Sequence, residues 1–123
     1  MRRLILILVA ALLLAACGDG TSAEEEAIAS RTPTGTEEAQ EALENFLGQP
    51  FITEEQREQS RDLVWRACAA FQDGATWQEV EDAEVAALEE AGRTLSPIEL
   101  TGMRSAAALG LAAYCPQHED KAP

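Results

Sequence analysis

A chain of 123 residues with 25% charged and only 5% aromatic side chains can hold at most one small domain. Nine Lys and Arg against 22 Asp and Glu leave a net charge of -13, which excludes nucleic acid as a partner, because phosphate binding depends on clustered cations. The same surplus works against adhesion to anionic lipid headgroups through the protein surface, so any membrane attachment has to come from elsewhere.

The N-terminus supplies it. Met1-Arg2-Arg3 is a short cationic start, Leu4 to Leu14 is unbroken apolar sequence, and small residues lead into Cys17. As a helix that apolar run rises only ~16 Å, about half the bilayer core, so it reads as an export signal over residues 1–16 and not as a permanent span. The paired arginines alone do not make a twin-arginine signal, because the apolar run follows them directly. Leu14-Ala15-Ala16-Cys17 resembles the lipobox of bacterial lipoproteins. The resemblance implies cleavage before Cys17 and a diacylglyceryl thioether on its sulfur, often with a further acyl chain on the new N-terminus. The alternative is an ordinary secretory signal cut after Ala16, which leaves a lone exposed thiol. Two acyl chains hold durably where one does not. The expected address is the extracytoplasmic face of the cell membrane, with the membrane itself as a partner through the lipid on Cys17.

Residues 18–35, GDGTSAEEEAIASRTPTG, carry almost no large apolar side chains and are expected to be a flexible acidic tether spanning, with Cys17, residues 17–35. A flexible segment of this length reaches ~23 Å on average and leaves the orientation of what it holds free. Glu24-Glu25-Glu26 reads as a solvated spacer, since consecutive side chains on a mobile segment do not preorganise metal ligands.

From residue 36 to 118 the punctuation is helical. Thr53, Thr76 and Ser96 each stand three residues before Gln or Glu, the capping-box spacing, and Pro97 suits the first position of a helix. Gly48, Gly74 and Gly92 follow apolar-periodic runs, where left-handed caps are expected, and Pro116 ends the last run. Helices are therefore predicted over 37–47, 54–73, 77–91 and 97–115. Ala39, Ala42, Leu43, Phe46 and Leu47 share a face of the first, and Val64, Ala67, Cys68 and Phe71, with Leu63 beside them, a face of the second. In the third, Trp77, Val80, Ala83, Ala87, Leu88 and Ala91 oppose an acidic face of Glu79, Asp82, Glu89 and Glu90. The fourth is apolar over most of its circumference and suits the centre, where Ala106, Ala107, Ala108 and Gly110 permit close approach. No run alternates with the period of a strand. The expected class is all-α: three main helices plus a short N-terminal one, closed by one disulfide, with 119–123 as a disordered tail.

That disulfide follows from the cysteine count. With Cys17 assigned to lipid, Cys68 and Cys115 remain, on apolar faces of two predicted helices in an exported domain, so they are expected to pair. For so small a core, the chain-entropy argument assigns such a bridge about 4 kcal/mol.

Phe46-Leu47, Cys68, the turn Gly74-Ala75-Thr76, Leu95-Ser96 opening an alanine-rich helix, and the ending Ala113-Tyr114-Cys115-Pro116 together resemble a family of small exported actinobacterial proteins. That family is catalogued as domain of unknown function number seven hundred and thirty-two. The resemblance covers about 40–118 and implies an exported or lipid-anchored helical domain with one disulfide. It carries no activity with it.

Catalytic chemistry finds no foothold. There is no Gly-x-Ser-x-Gly, and the single histidine, His118, lies beyond Pro116 and reads as a solvated tail residue. One histidine and two paired cysteines are too few zinc ligands. Asp73-Gly74 mimics the centre of a calcium loop, but Ala69, Phe71 and Val80 occupy ligand positions. Glu54, Glu55 and Glu58 complement a helix dipole. Neither metal nor cofactor is expected. What remains is a non-enzymatic interaction module of the cell envelope, offering Glu79, Asp82, Glu89, Glu90 and Trp65 to a protein partner. Trp65 lies off the Val64–Cys68 stripe; it is either exposed or packed on Trp77 or the first predicted helix. The alternative is a carrier holding a small apolar ligand between helices, in room left by the small residues of the last one.

Overall fold

The computed structural model of the protein describes residues 19–123, with side chains from residue 23 onward. The export signal and Cys17 lie outside the described residues. Five α-helices follow one another: α1 Asp19–Ala29, α2 Glu37–Leu47, α3 Glu54–Gln72, α4 Trp77–Glu90 and α5 Pro97–Tyr114, then a 3-10 helix Pro116–Lys121. Among the described residues there is no strand. The class is all-α as expected, with α1 and the terminal 3-10 helix in addition to the four helices anticipated.

The starts of α2 to α5 are chemically alike. Thr36, Thr53, Thr76 and Ser96 each accept a hydrogen bond from the backbone N–H three residues on, satisfying a donor that the first turn leaves orphaned. The reciprocal half of the capping box forms at Thr53, whose N–H donates to Gln56 Oε1 at 2.9 Å. At Thr76 and Ser96 the following glutamate takes the cap hydroxyl instead, at 3.3 and 3.2 Å. The stops of α3 and α4 are left-handed glycines, Gly74 at φ 88° and Gly92 at φ 78°. Each is closed by a pair of Schellman hydrogen bonds, Gly74 N to Phe71 O with Ala75 N to Ala70 O, and Gly92 N to Glu89 O with Arg93 N to Leu88 O. Gly48 departs from expectation. It caps α2 at φ -78°, outside the left-handed region.

The core lies along α5, which packs against α2 on one side and α3 on the other. Leu43 and Leu47 of α2, Val64, Cys68 and Phe71 of α3, and Leu111 and Cys115 at the end of α5 are nearly or fully buried. At Gly110 α3 and α5 are in close contact: a Cβ there falls 2.3 Å from Val64 Cγ2. The absent side chain of Gly110 thus serves helix contact, with Val64 filling the space beside it. Cys68 and Cys115 form the disulfide, with Cα atoms 6.1 Å apart. Their chain separation of 47 residues ties the middle of α3 to the end of α5.

Two segments expected to be loose are packed. In the stretch read as a tether, α1 lies on α3 with Ile28 buried, and Arg31 forms an ion pair with Asp62. Beyond it Thr34 N and Gly35 N donate to the carbonyls of Tyr114 and Ala113 at 3.2 and 3.0 Å. A Cβ on Gly35 meets Ala112 O at 2.1 Å, so only glycine lets the strap lie this close to α5. A few point contacts thus hold a segment whose average composition is too polar to fold. The C-terminal tail is likewise ordered through Lys121: Lys121 Nζ donates to Phe71 O at 3.3 Å and lies 5.5 Å from the Phe71 ring centroid.

Candidate functional site: an apolar groove beside α4

The expected apolar stripe of α4 is covered only at one end. Val80 is buried and Trp77 and Leu88 are half-buried, but Ala83, Ala87 and Ala91 face solvent. The helix is held largely by polar ties. Glu81, only 5% exposed, receives Arg104 of α5 through Nε to Oε1 at 2.6 Å and Nη2 to Oε2 at 3.2 Å. Glu84 receives Arg66 of α3, with Nη2 2.9 Å from Oε2. Because α4 stands off in this way, a cleft opens on either side of it. Leu63, Arg66, Glu84 and Leu88 belong to the walls of both.

The cleft toward the N-terminal halves of α3 and α5 has a volume of about 490 Å³. Its apolar walls are Leu63 from α3, Leu88 from α4, Leu95 from the link between α4 and α5, and Met103 from α5. Gln56 and Gln59 of α3 give one edge hydrogen-bonding capacity. Phe51, in the link from α2 to α3, and Ile98, in the first turn of α5, stand on its rim. They are 76% and 85% exposed, the two large apolar side chains left in water among the described residues. The charges that line it are already matched: Arg66 with Glu84, Arg93 with Glu99 at 3.3 Å, and Asp62 with Arg31. Sequence periodicity misses this site because three of its apolar members, Phe51, Ile52 and Leu95, lie in links. The available signal was a phenylalanine directly after the break Gly48-Gln49-Pro50.

The residues expected to form an interaction surface part company. Glu79, Asp82, Glu89 and Glu90 are all exposed on α4. Glu79 is engaged with its cap Thr76, and Asp82 accepts from Gln78 Nε2 at 2.8 Å. Glu89 and Glu90 have no ion-pair partner among the described residues. Trp65 is not a surface residue. It is 7% exposed and its ring lies on that of Tyr114. Position off the main stripe did not expose it, because α3 is packed on several sides, by α1, α4, α5 and the 3-10 helix. The neighbouring Glu44 holds Arg61 at 2.8 Å and by its hydrogen bond raises the pKa of that guanidinium. Burial first, and the Glu44 charge second, push the Tyr114 hydroxyl above the ordinary phenol range, against Arg61, which lowers it. In the same sense the hydrogen bonds that Arg104 donates to Glu81 raise the pKa of Arg104.

His118 is packed, contrary to its reading as a solvated residue. Its ring tilts against Phe71 with centroids 5.9 Å apart, and its buried Nε2 has no hydrogen-bond partner. Burial, then the charge of Lys121, lowers its pKa, with Glu24 and Asp120 opposing. Among the described residues no group of three His, Cys, Asp or Glu side chains is placed to hold a metal ion, and no helix is long and apolar enough to cross a membrane. The arrangement can take up apolar surface beside matched ion pairs. No family model, curated protein or solved structure matches the chain.

Proposed function

We propose that this protein is a non-enzymatic binding module of the cell envelope, held on the extracytoplasmic face of the membrane by lipid on Cys17, with the groove beside α4 as its working surface. One observation carries the reading: Phe51 and Ile98, 76% and 85% exposed, flank an apolar cleft of about 490 Å³. A monomer gains nothing by leaving two large apolar side chains in water at the edges of a cleft, whereas a binding surface does. The anchoring rests on Leu14-Ala15-Ala16-Cys17 and the membership in the actinobacterial family on the cysteine pair and the Tyr-Cys-Pro ending. A photoreactive residue placed at Phe51 in intact cells tests the working surface. One reproducible envelope neighbour supports the reading, and crosslinking no stronger than from an exposed position on α2 overturns it. Mass spectrometry of the membrane fraction tests the anchor, which an unmodified Cys17 peptide sinks.

A second reading, a carrier of a small apolar ligand, is favoured by the volume of the groove, which lies within the range of small-molecule sites of ~300–1,000 Å³. Extraction with organic solvent checks it. A carrier purified from cells loses a defined small molecule and melts at a lower temperature afterwards.

A further inference from the structure

We infer that the occupant of the groove is a cationic amphipathic helix of a protein partner, an assignment that rests on the groove being the working surface. Size argues first. Phe51 and Ile98 line the cleft yet are 76% and 85% exposed, so an occupant that covers both lies across its mouth and not only within it. A helix with its side chains is ~10–12 Å across and covers the cleft and both rims together.

Charge argues second. Inside the cleft Arg66 and Arg93 are committed to Glu84 and Glu99, so neither is free to receive an anionic headgroup or an acidic peptide. Beside it the balance is negative. Glu55 accepts from the lining residue Gln59 at 3.4 Å, and Glu58 stands one helical turn before the lining residue Asp62 on the same face of α3. Both are exposed, and neither has an ion-pair partner among the described residues. On a chain of net charge -13, an apolar strip bordered by free carboxylates selects apolar surface bordered by Lys and Arg. Matched charges within and free acids at the edges also disfavour a second copy of this chain, which brings the same acids.

The test is binding of the purified protein to a synthetic Leu/Lys amphipathic helix of about 15 residues, a length that can form on a partner surface. Comparison is with a scrambled peptide of the same composition, a Leu/Glu helix and palmitate. The expected result is preference for the Leu/Lys helix over the scrambled peptide, weakened about tenfold by Phe51→Ser and by Ile98→Ser, and further weakened at ~0.5 M salt. Both substituted positions are exposed, so unchanged melting curves identify folded variants. Equal binding of the Leu/Glu helix overturns the assignment. So does indifference of the Leu/Lys helix to both substitutions, and so does one-to-one uptake of palmitate that excludes the peptide. The crosslinking from Phe51 separates this inference from the reading beneath it. A neighbour joined through an acidic segment sinks the cationic helix and leaves the binding surface, whereas no neighbour sinks both.

Discussion

The ring of Trp65 lies flat on that of Tyr114, centroids 4.4 Å apart and planes 10° from parallel. The contact joins the middle of α3 to the last residue of α5, one position before Cys115, so the end of the central helix is fixed by stacking and by a covalent bond together. Tyr114→Ala removes a buried aromatic face and is expected to cost about 3–5 kcal/mol in urea unfolding, with Trp65 emission shifted to the red. Tyr114→Phe keeps the stack and is expected to keep the emission. A red shift in the Phe variant dissociates Trp65 emission from ring stacking.

Replacing Cys68 and Cys115 by Ala opens a loop closed across 47 residues of sequence. By the chain-entropy argument the loss is about 4 kcal/mol, a large share of what an 80-residue core holds. Thermal melting with and without reductant checks this, and identical curves show that the bridge adds no stability.

Gly110→Ala drives a methyl group into Val64, and overpacking of this kind costs about 1–3 kcal/mol. Val64→Ala leaves a cavity of its own. Because each change makes room for the other, the double variant is expected to be more stable than the sum of the single losses, in a double-mutant cycle by denaturant. Additive losses place the clash elsewhere.

Stability is expected to fall as pH drops below about 6.5, the ordinary value from which burial lowers the His118 pKa. In that window the unfolded chain binds a proton that the folded chain does not, so protons favour unfolding until the pH reaches the lowered folded-state value. Lys121 adds to the effect, and Glu24 and Asp120 oppose it. Urea midpoints between about pH 7 and pH 5 measure the slope, which His118→Gln should flatten. A slope unchanged in that variant assigns the dependence to carboxylates.

The main helices were legible because their signals are local. A hydroxyl three residues before Gln or Glu starts α3, α4 and α5, glycine stops α3 and α4, and each boundary falls within one residue of its prediction. The disulfide was legible because two cysteines lay on faces that α5 and α3 turn toward each other. The docking of α1 and its strap was not, since one isoleucine, one ion pair and two backbone hydrogen bonds vanish in an average over a polar stretch. The groove was hidden because Phe51, Ile52 and Leu95 of its apolar lining lie in links, where no period runs.

Gly35 carries a consequence for geometry at larger scale. Its hydrogen bond ties the N-terminal strap to Ala113 in the last turn of α5, while Ile98, at the groove, is in the first. Fifteen helical steps separate them, ~22 Å along one rigid rod. A pull on the strap therefore enters this rod near one end, while the groove opens toward the other.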